Sequence, residues 1–150
     1  MSTSDFFDEV DKNLGEHEKK RAEAAVEAKL NSEFLCETVV RLTPRVKEYA
    51  DNALERGMKT DLHIGERVIS FSLKFKDGGH RSTTLGHSMP GTDTNRIEIV
   101  GSFTNDNGQD FTSRTGTTYD HTNWKDELFL KDIEACLTDF VSRASRHGGI

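Results

Sequence analysis

The chain has 150 residues and a formal net charge of −6, with 33% of residues apolar and 31% charged. That length fits one domain, and the acidic balance argues against tight non-specific nucleic-acid binding, which needs Lys and Arg to displace counterions from phosphate. No apolar run approaches the roughly 18 residues of a membrane span, and Met1-Ser2-Thr3-Ser4-Asp5 opens on acid where a leader would be basic and then hydrophobic, so a soluble, unexported, cytoplasmic protein is expected, with no membrane partner.

Residues 1–57 hold only Gly15 and Gly57 and one proline amid Ala, Glu, Lys and Leu, which predicts helix. Behind Ser4 as cap, Phe6, Val10 and Leu14 recur every four residues, with Phe7 beside them; they form a short apolar stripe. From Gly15 to Arg21 the sequence is polar on every side until Ala22, Ala25, Val26 and Leu30. Residues 1–30 therefore read as a helical arm, mobile or oligomerising, ahead of a single domain at 31–150. A longer period follows in Phe34, Leu35, Thr38, Val39, Leu42, Val46, Tyr49, Ala50, Ala53 and Leu54. Thr43-Pro44 has the form of a cap followed by proline at the first helical position. It predicts one helix ending near Leu42 and another running to Arg56, stopped by Gly57.

From residue 58 the period changes to two. Ile69, Phe71, Leu73 and Phe75 alternate with Val68, Ser70, Ser72 and Lys74 in a strand spanning 67–75. Met58–Ile64 reads as an additional edge strand, and further strands are expected at Arg81–His87, Ile97–Thr104 and Phe111–Tyr119, with a loop at Ser88–Asn95 around Pro90 and Gly91. Burial favours three-residue hairpin loops. A loop over Asp77–Gly79 sets Phe71 opposite Leu85, one over Asp106–Gly108 sets Phe103 opposite Phe111, and Gly79 and Gly108 take the left-handed conformation. A closing helix is expected after Asp120 or Thr122. Its stripe is Leu130, Ile133, Leu137, Phe140, Val141 and Ala144, flanked by Phe129 and Cys136, with Gly148-Gly149 as the stop.

The pieces assemble into a two-layer α+β fold: an antiparallel four- or five-stranded meander, covered on one face by helices from the N-terminal third and by a C-terminal helix. The reverse face, including Ser70, Ser72, Lys74, Ser82, Thr84, Glu98, Ser102, Thr104, Thr112, Arg114 and Thr118, is polar. On the inner face Arg81, Ser113, Thr115 and Thr117 join Ile97, Ile99 and Phe103, which calls for paired hydrogen bonds or for a sheet end left open by its helices.

Six histidines invite a metal reading, but no pair has helical HxxxH or strand HxH spacing, and His80 and His87, seven apart, point to opposite faces of a strand. Cys36 and Cys136 are too far apart for a zinc knuckle or a disulfide framework and read as buried free thiols. No metal and no cofactor is expected. A hydrolase would recruit a Ser or Thr of the polar sheet, His121 as base and Asp120 or Asp93 to orient it, yet no Gly-x-Ser-x-Gly elbow is present. Glycine-rich phosphate loops lack both a following helix start and Lys-Ser/Thr.

The reading is therefore a non-catalytic protein-interaction module, self-associating as a homodimer or docking on a protein partner through Phe6, Phe7, Val10 and Leu14. In size, charge and layout the chain is similar to secretion chaperones and toxin-immunity proteins, an analogy that does not fix function. The alternative is a small polar ligand-binding protein or hydrolase whose site, at the open end of the sheet, uses Arg81, His87, Tyr119, His121 and Trp124.

Overall fold

The computed structural model describes residues 2–88 and 94–150. Pro90, Gly91 and Asp93, and with them most of the expected 88–95 loop, lie outside the described residues. The elements run α1 (Thr3–Glu55), β1 (Lys59–Ile64), β2 (Ile69–Lys74), β3 (His80–His87), β4 (Ile97–Thr104), β5 (Asp110–Arg114) and α2 (Asp126–Arg143), closed by a 3₁₀ turn at Ala144–His147. The five strands form one antiparallel meander in chain order, and α1 and α2 pack on one of its faces. This is the α+β two-layer arrangement expected.

The core follows from the period-two pattern of β2. Ile69, Phe71 and Leu73 are fully buried and Phe75 nearly so, under Leu35, Leu42 and Val46 of α1 and Phe129, Ile133 and Phe140 of α2. The alternate residues Ser70, Ser72 and Lys74 are more exposed, and Ser70 meets Thr84 across the strand pair at 2.9 Å. Glu98 and Thr104, on the polar face, are nonetheless buried. Glu98 pairs with Arg114, and the Thr104 hydroxyl donates to Asp110 and lies 3.0 Å from His80 Nδ1.

Four expectations need correction. The N-terminal helices are one helix of 53 residues, capped by Ser2, not Ser4, in a capping box with Asp5. It runs straight through Pro44. Proline removes one hydrogen bond, to the carbonyl of Val40, on the outer side of the helix, where Val40 is 71% exposed. The Thr43 hydroxyl donates to the carbonyl of Val39 at 2.6 Å instead of capping a new helix. Keeping Leu42 and Val46 on one buried face outweighs the local cost.

The first hairpin is the second correction. Phe71 faces Thr83, not Leu85, and Ile69 faces Leu85. The loop is Lys76–Gly78, and Gly78, with φ 93°, is the left-handed residue. Gly79 serves close packing instead: its N–H donates to Asp77 Oδ1 at 2.8 Å, and a Cβ there would lie 3.1 Å from His147 Nδ1. The chain end sets this register. Asp77 Oδ2 meets His147 Nδ1 at 2.9 Å, the N–H of Asp77 donates to the His147 carbonyl, and Phe75 stacks between His147 and Phe140. The second hairpin is as expected, with Phe103 opposite Phe111 and Gly108 at φ 80°.

Third, β5 ends at Arg114, although Tyr119 returns to pair with Ile97 in an isolated bridge. Fourth, α2 starts at Asp126 and is rotated: Phe129, Ile133, Cys136 and Phe140 are buried, Leu130 and Leu137 are half-buried, and Val141 is 52% exposed. The Phe129 ring is worth more when covered than the smaller Val141 it displaces. Cys136 is a buried free thiol; Cys36 is free but half-buried. No helix among the described residues is long and apolar enough to cross a membrane.

Replacing Pro44 restores the missing donor on an uninterrupted helix. Pro44→Ala is expected to stabilise the protein by about 1–2 kcal/mol, after allowance for the extra freedom of the unfolded chain, as read from urea unfolding midpoints.

Candidate functional site

The five expected ligand residues do not share one site. His87, Tyr119, His121 and Trp124 gather at the end of the sheet where α1 leaves the domain. Arg81 lies elsewhere on the inner face, between Leu73 and Phe103, and donates to Asp139 of α2 at 3.1 Å.

At the sheet end the polar atoms converge on α1. Asn31 is fully buried on the helix face continued by Leu35, Thr38 and Leu42. A buried carboxamide must find partners for both ends. Its Nδ2 donates to the Thr94 carbonyl at 2.8 Å and its Oδ1 accepts from the His121 N–H at 2.9 Å. One turn earlier, Glu27 lies 3.2 Å from His121 Nε2. Beside Asn31, the Ser32 hydroxyl lies 3.2 Å from His87 Nε2 and accepts from Asn95 Nδ2, while His87 Nδ1 meets the Asn95 carbonyl at 3.0 Å and Arg67 donates to the Ser32 carbonyl. Arg96 ties β4 to Thr118 and Asp120, and Tyr119 packs edge-on against Trp124. A second clamp joins the helices: Arg41 makes two hydrogen bonds to Asp126, at 2.6 and 2.9 Å, and Trp124 Nε1 donates to the same carboxylate.

Burial lowers the pKa of His87, which outweighs its hydrogen bond to Asn95. The Asn95 carbonyl can only accept, which places the proton of a neutral ring on Nδ1 and leaves Nε2 to accept from Ser32. Arg41 holds the Asp126 carboxyl below its usual range, and the Thr122 hydroxyl does the same for Asp120. Ser32–His87 is the arrangement nearest to a nucleophile and base. Ser32, however, lies inside α1, where the surrounding backbone N–H groups are committed to the helix and offer no donors to an oxyanion. Its geometry fixes the helix to the sheet end. Among the described residues no three His, Cys, Asp or Glu side chains converge as a metal site.

Beyond this clasp, residues 3–26 are exposed except for Val10 and Ala24. Phe6, Phe7 and Leu14 show 52, 55 and 55% of their surface, and Phe6 and Phe7 touch only edge to face, at 5.3 Å. On the opposite side of the domain the inner face of β4 and β5 extends past α2. Phe111 is 46% exposed and stacks on Phe103, and Arg81, Phe103, Ser113, Thr115, Asp132 and Asp139 border a groove of about 200 Å³. Thr83, on the same inner face, is buried and donates to Asp132.

Arg81 on the inner face was legible from strand alternation. The clasp was not, because Ser32 and His87 stand 55 positions apart. The one available signal was Asn31, a polar residue in an otherwise apolar helical period. The chain matches no protein-family model, no curated protein and no solved structure.

His87 binds its proton less readily when folded, so the fold loses stability as pH falls below about 6.5. Asp126, with its folded pKa depressed, contributes above about pH 4 and loses that contribution on further acidification. Unfolding midpoints measured from pH 8 to pH 3 should show His87→Gln flattening the upper decline and Asp126→Asn the lower one.

Proposed function

We propose that this protein is a non-catalytic interaction module whose docking element is the N-terminal half of α1. One observation carries the reading: residues 3–26 extend as helix past the clasp, with Phe6, Phe7 and Leu14 more than half exposed and Val10 half-buried beside them among the described residues. An isolated helix of this length is marginal in water, because nucleation is costly and packing of an amphipathic face supplies most helical stability in proteins. A partner surface on the stripe offsets that cost. The free thiols Cys36 and Cys136 suit a reducing compartment such as the cytoplasm. Like the clasp, the arm offers binding surface and no positioned nucleophile.

Hydrogen exchange on the full chain tests this. In dilute, monomeric protein the amides of residues 5–26 are expected to exchange far faster than those of residues 35–50 in the same helix. On association they should become protected, and Phe7→Ser/Leu14→Ser should abolish the protection. Slow exchange of the arm in a chain shown monomeric by light scattering would remove the need for a partner, and the reading with it.

A second reading, binding of a small polar ligand, draws support from the groove beside α2, where Arg81 and Asp139 present opposite charges within 3.1 Å. It predicts that a small dicarboxylate or phosphate raises the melting temperature by mass action, and that Arg81→Gln removes the shift. No shift across such a panel counts against it.

A further inference from the structure

We propose that the arm's partner is the arm of a second copy of this chain, lying antiparallel; this rests on the docking reading above and adds to it the identity and direction of the partner. Carried at helical spacing back from buried Asn31, the sheet-facing side of α1 passes through Ala28, Ala24, Arg21, His17, Leu14, Val10 and Phe6. The stripe therefore looks to the same side of the helix as the domain. A partner helix on that side and parallel to α1 would, from Asn31 onward, enter space filled by the sheet. An antiparallel partner escapes this, because its own domain lies beyond the arm's N-terminus.

Size also favours this direction. On or beside the stripe the arm is bulky at its tip, with Phe6 and Phe7, and small at its base, with Ala24, Ala25 and Ala28. Antiparallel alignment sets the phenylalanines of one copy over the alanines of the other, with Leu14 close to the two-fold axis. Parallel alignment crowds Phe on Phe and leaves a gap at Ala on Ala, which close-packed interfaces do not tolerate.

Charge points the same way. Residues 3–14 carry Asp5, Asp8, Glu9 and Asp11 against Lys12, a net −3, whereas over residues 15–26 Lys19, Lys20 and Arg21 are balanced by Glu16, Glu18 and Glu23. Parallel arms would set the two acidic tips on one another, within the screening length of about 8 Å at physiological salt. Antiparallel arms set each acidic tip on a neutral segment whose Lys20 and Arg21 flank the stripe.

Cysteine crosslinking of the full-length chain separates these arrangements. Val10→Cys and Arg21→Cys variants, each otherwise unchanged, are oxidised alone and mixed, with the parent chain as control for Cys36 and Cys136. A disulfide forms only where Cα atoms approach within about 7 Å. Antiparallel arms bring position 10 of one copy near position 21 of the other, while like positions stay several residues apart. The expected result is a dimer by light scattering, a covalent dimer from the mixture, and little from either variant alone. Reversing Lys19, Lys20 and Arg21 to Glu should weaken the dimer by about tenfold or more. Adding a copy with Asp8, Glu9 and Asp11 changed to Lys should restore pairing as a mixed dimer. Efficient crosslinking of Val10→Cys alone would mean parallel arms and overturn the proposal. So would a chain that stays monomeric up to about 100 µM; that outcome leaves the docking reading standing, with a partner of different sequence. An arm protected from exchange in the monomer would remove both.

Discussion

The burial of one strand, β2, between its neighbours and beneath two helices governs the rest of the molecule. Ile69, Phe71, Leu73 and Phe75 are essentially inaccessible, and α1 and α2 both contact this strand. Two helices about 10 Å wide, laid side by side, span roughly four strands spaced about 4.8 Å apart. The sheet has five. With α1 over β1 and β2 and α2 over β2 and β3, the inner face of β5 is left bare, which accounts for the exposure of Phe111 and for the groove bordered by Arg81 and Asp139.

A second mismatch runs along the helix axis. α1 is about 80 Å long at 1.5 Å per residue, whereas strands of six to eight residues extend only about 20–27 Å. More than half the helix must therefore leave the sheet. The point of exit is fastened by Asn31, Ser32 and Glu27, whose partners come from the end of β3 and from segments far apart in sequence. The Arg41–Asp126 pair does the same between the helices, with Trp124 Nε1 donating to the same carboxylate. These contacts turn one continuous helix into two regions with different physics. The C-terminal half is held by core packing. The N-terminal half is held by its own hydrogen bonds and the capping box at Ser2, and its apolar stripe has surface to offer.

Much of the fold was legible because alternation in β2 and helical spacing around Leu35, Leu42 and Val46 are unambiguous over their lengths. The Asp106–Gly108 loop was legible too, since burial of Phe103 against Phe111 and the left-handed glycine agree. The Asp77–Gly79 loop was not. There two glycines compete for the left-handed position, and the choice falls to Gly78 because His147, at the far end of the chain, packs against Gly79. Pro44 misled for a similar reason. Its local signal favours a break, and only the exposure of Val40 and the shared burial of Leu42 and Val46 make continuity the better state.

The sequence by itself determined the order and type of the elements, the apolar face of the sheet, and the stripe Phe6, Phe7, Val10 and Leu14, because these depend on residues near one another along the chain. Tertiary structure alone decided which glycine turns the first hairpin, which side of α2 is buried, and that His87 and His121 fasten a helix instead of standing together as an open site. Those outcomes depend on pairs separated by tens of residues, and no local period encodes which distant surface will fill a given space.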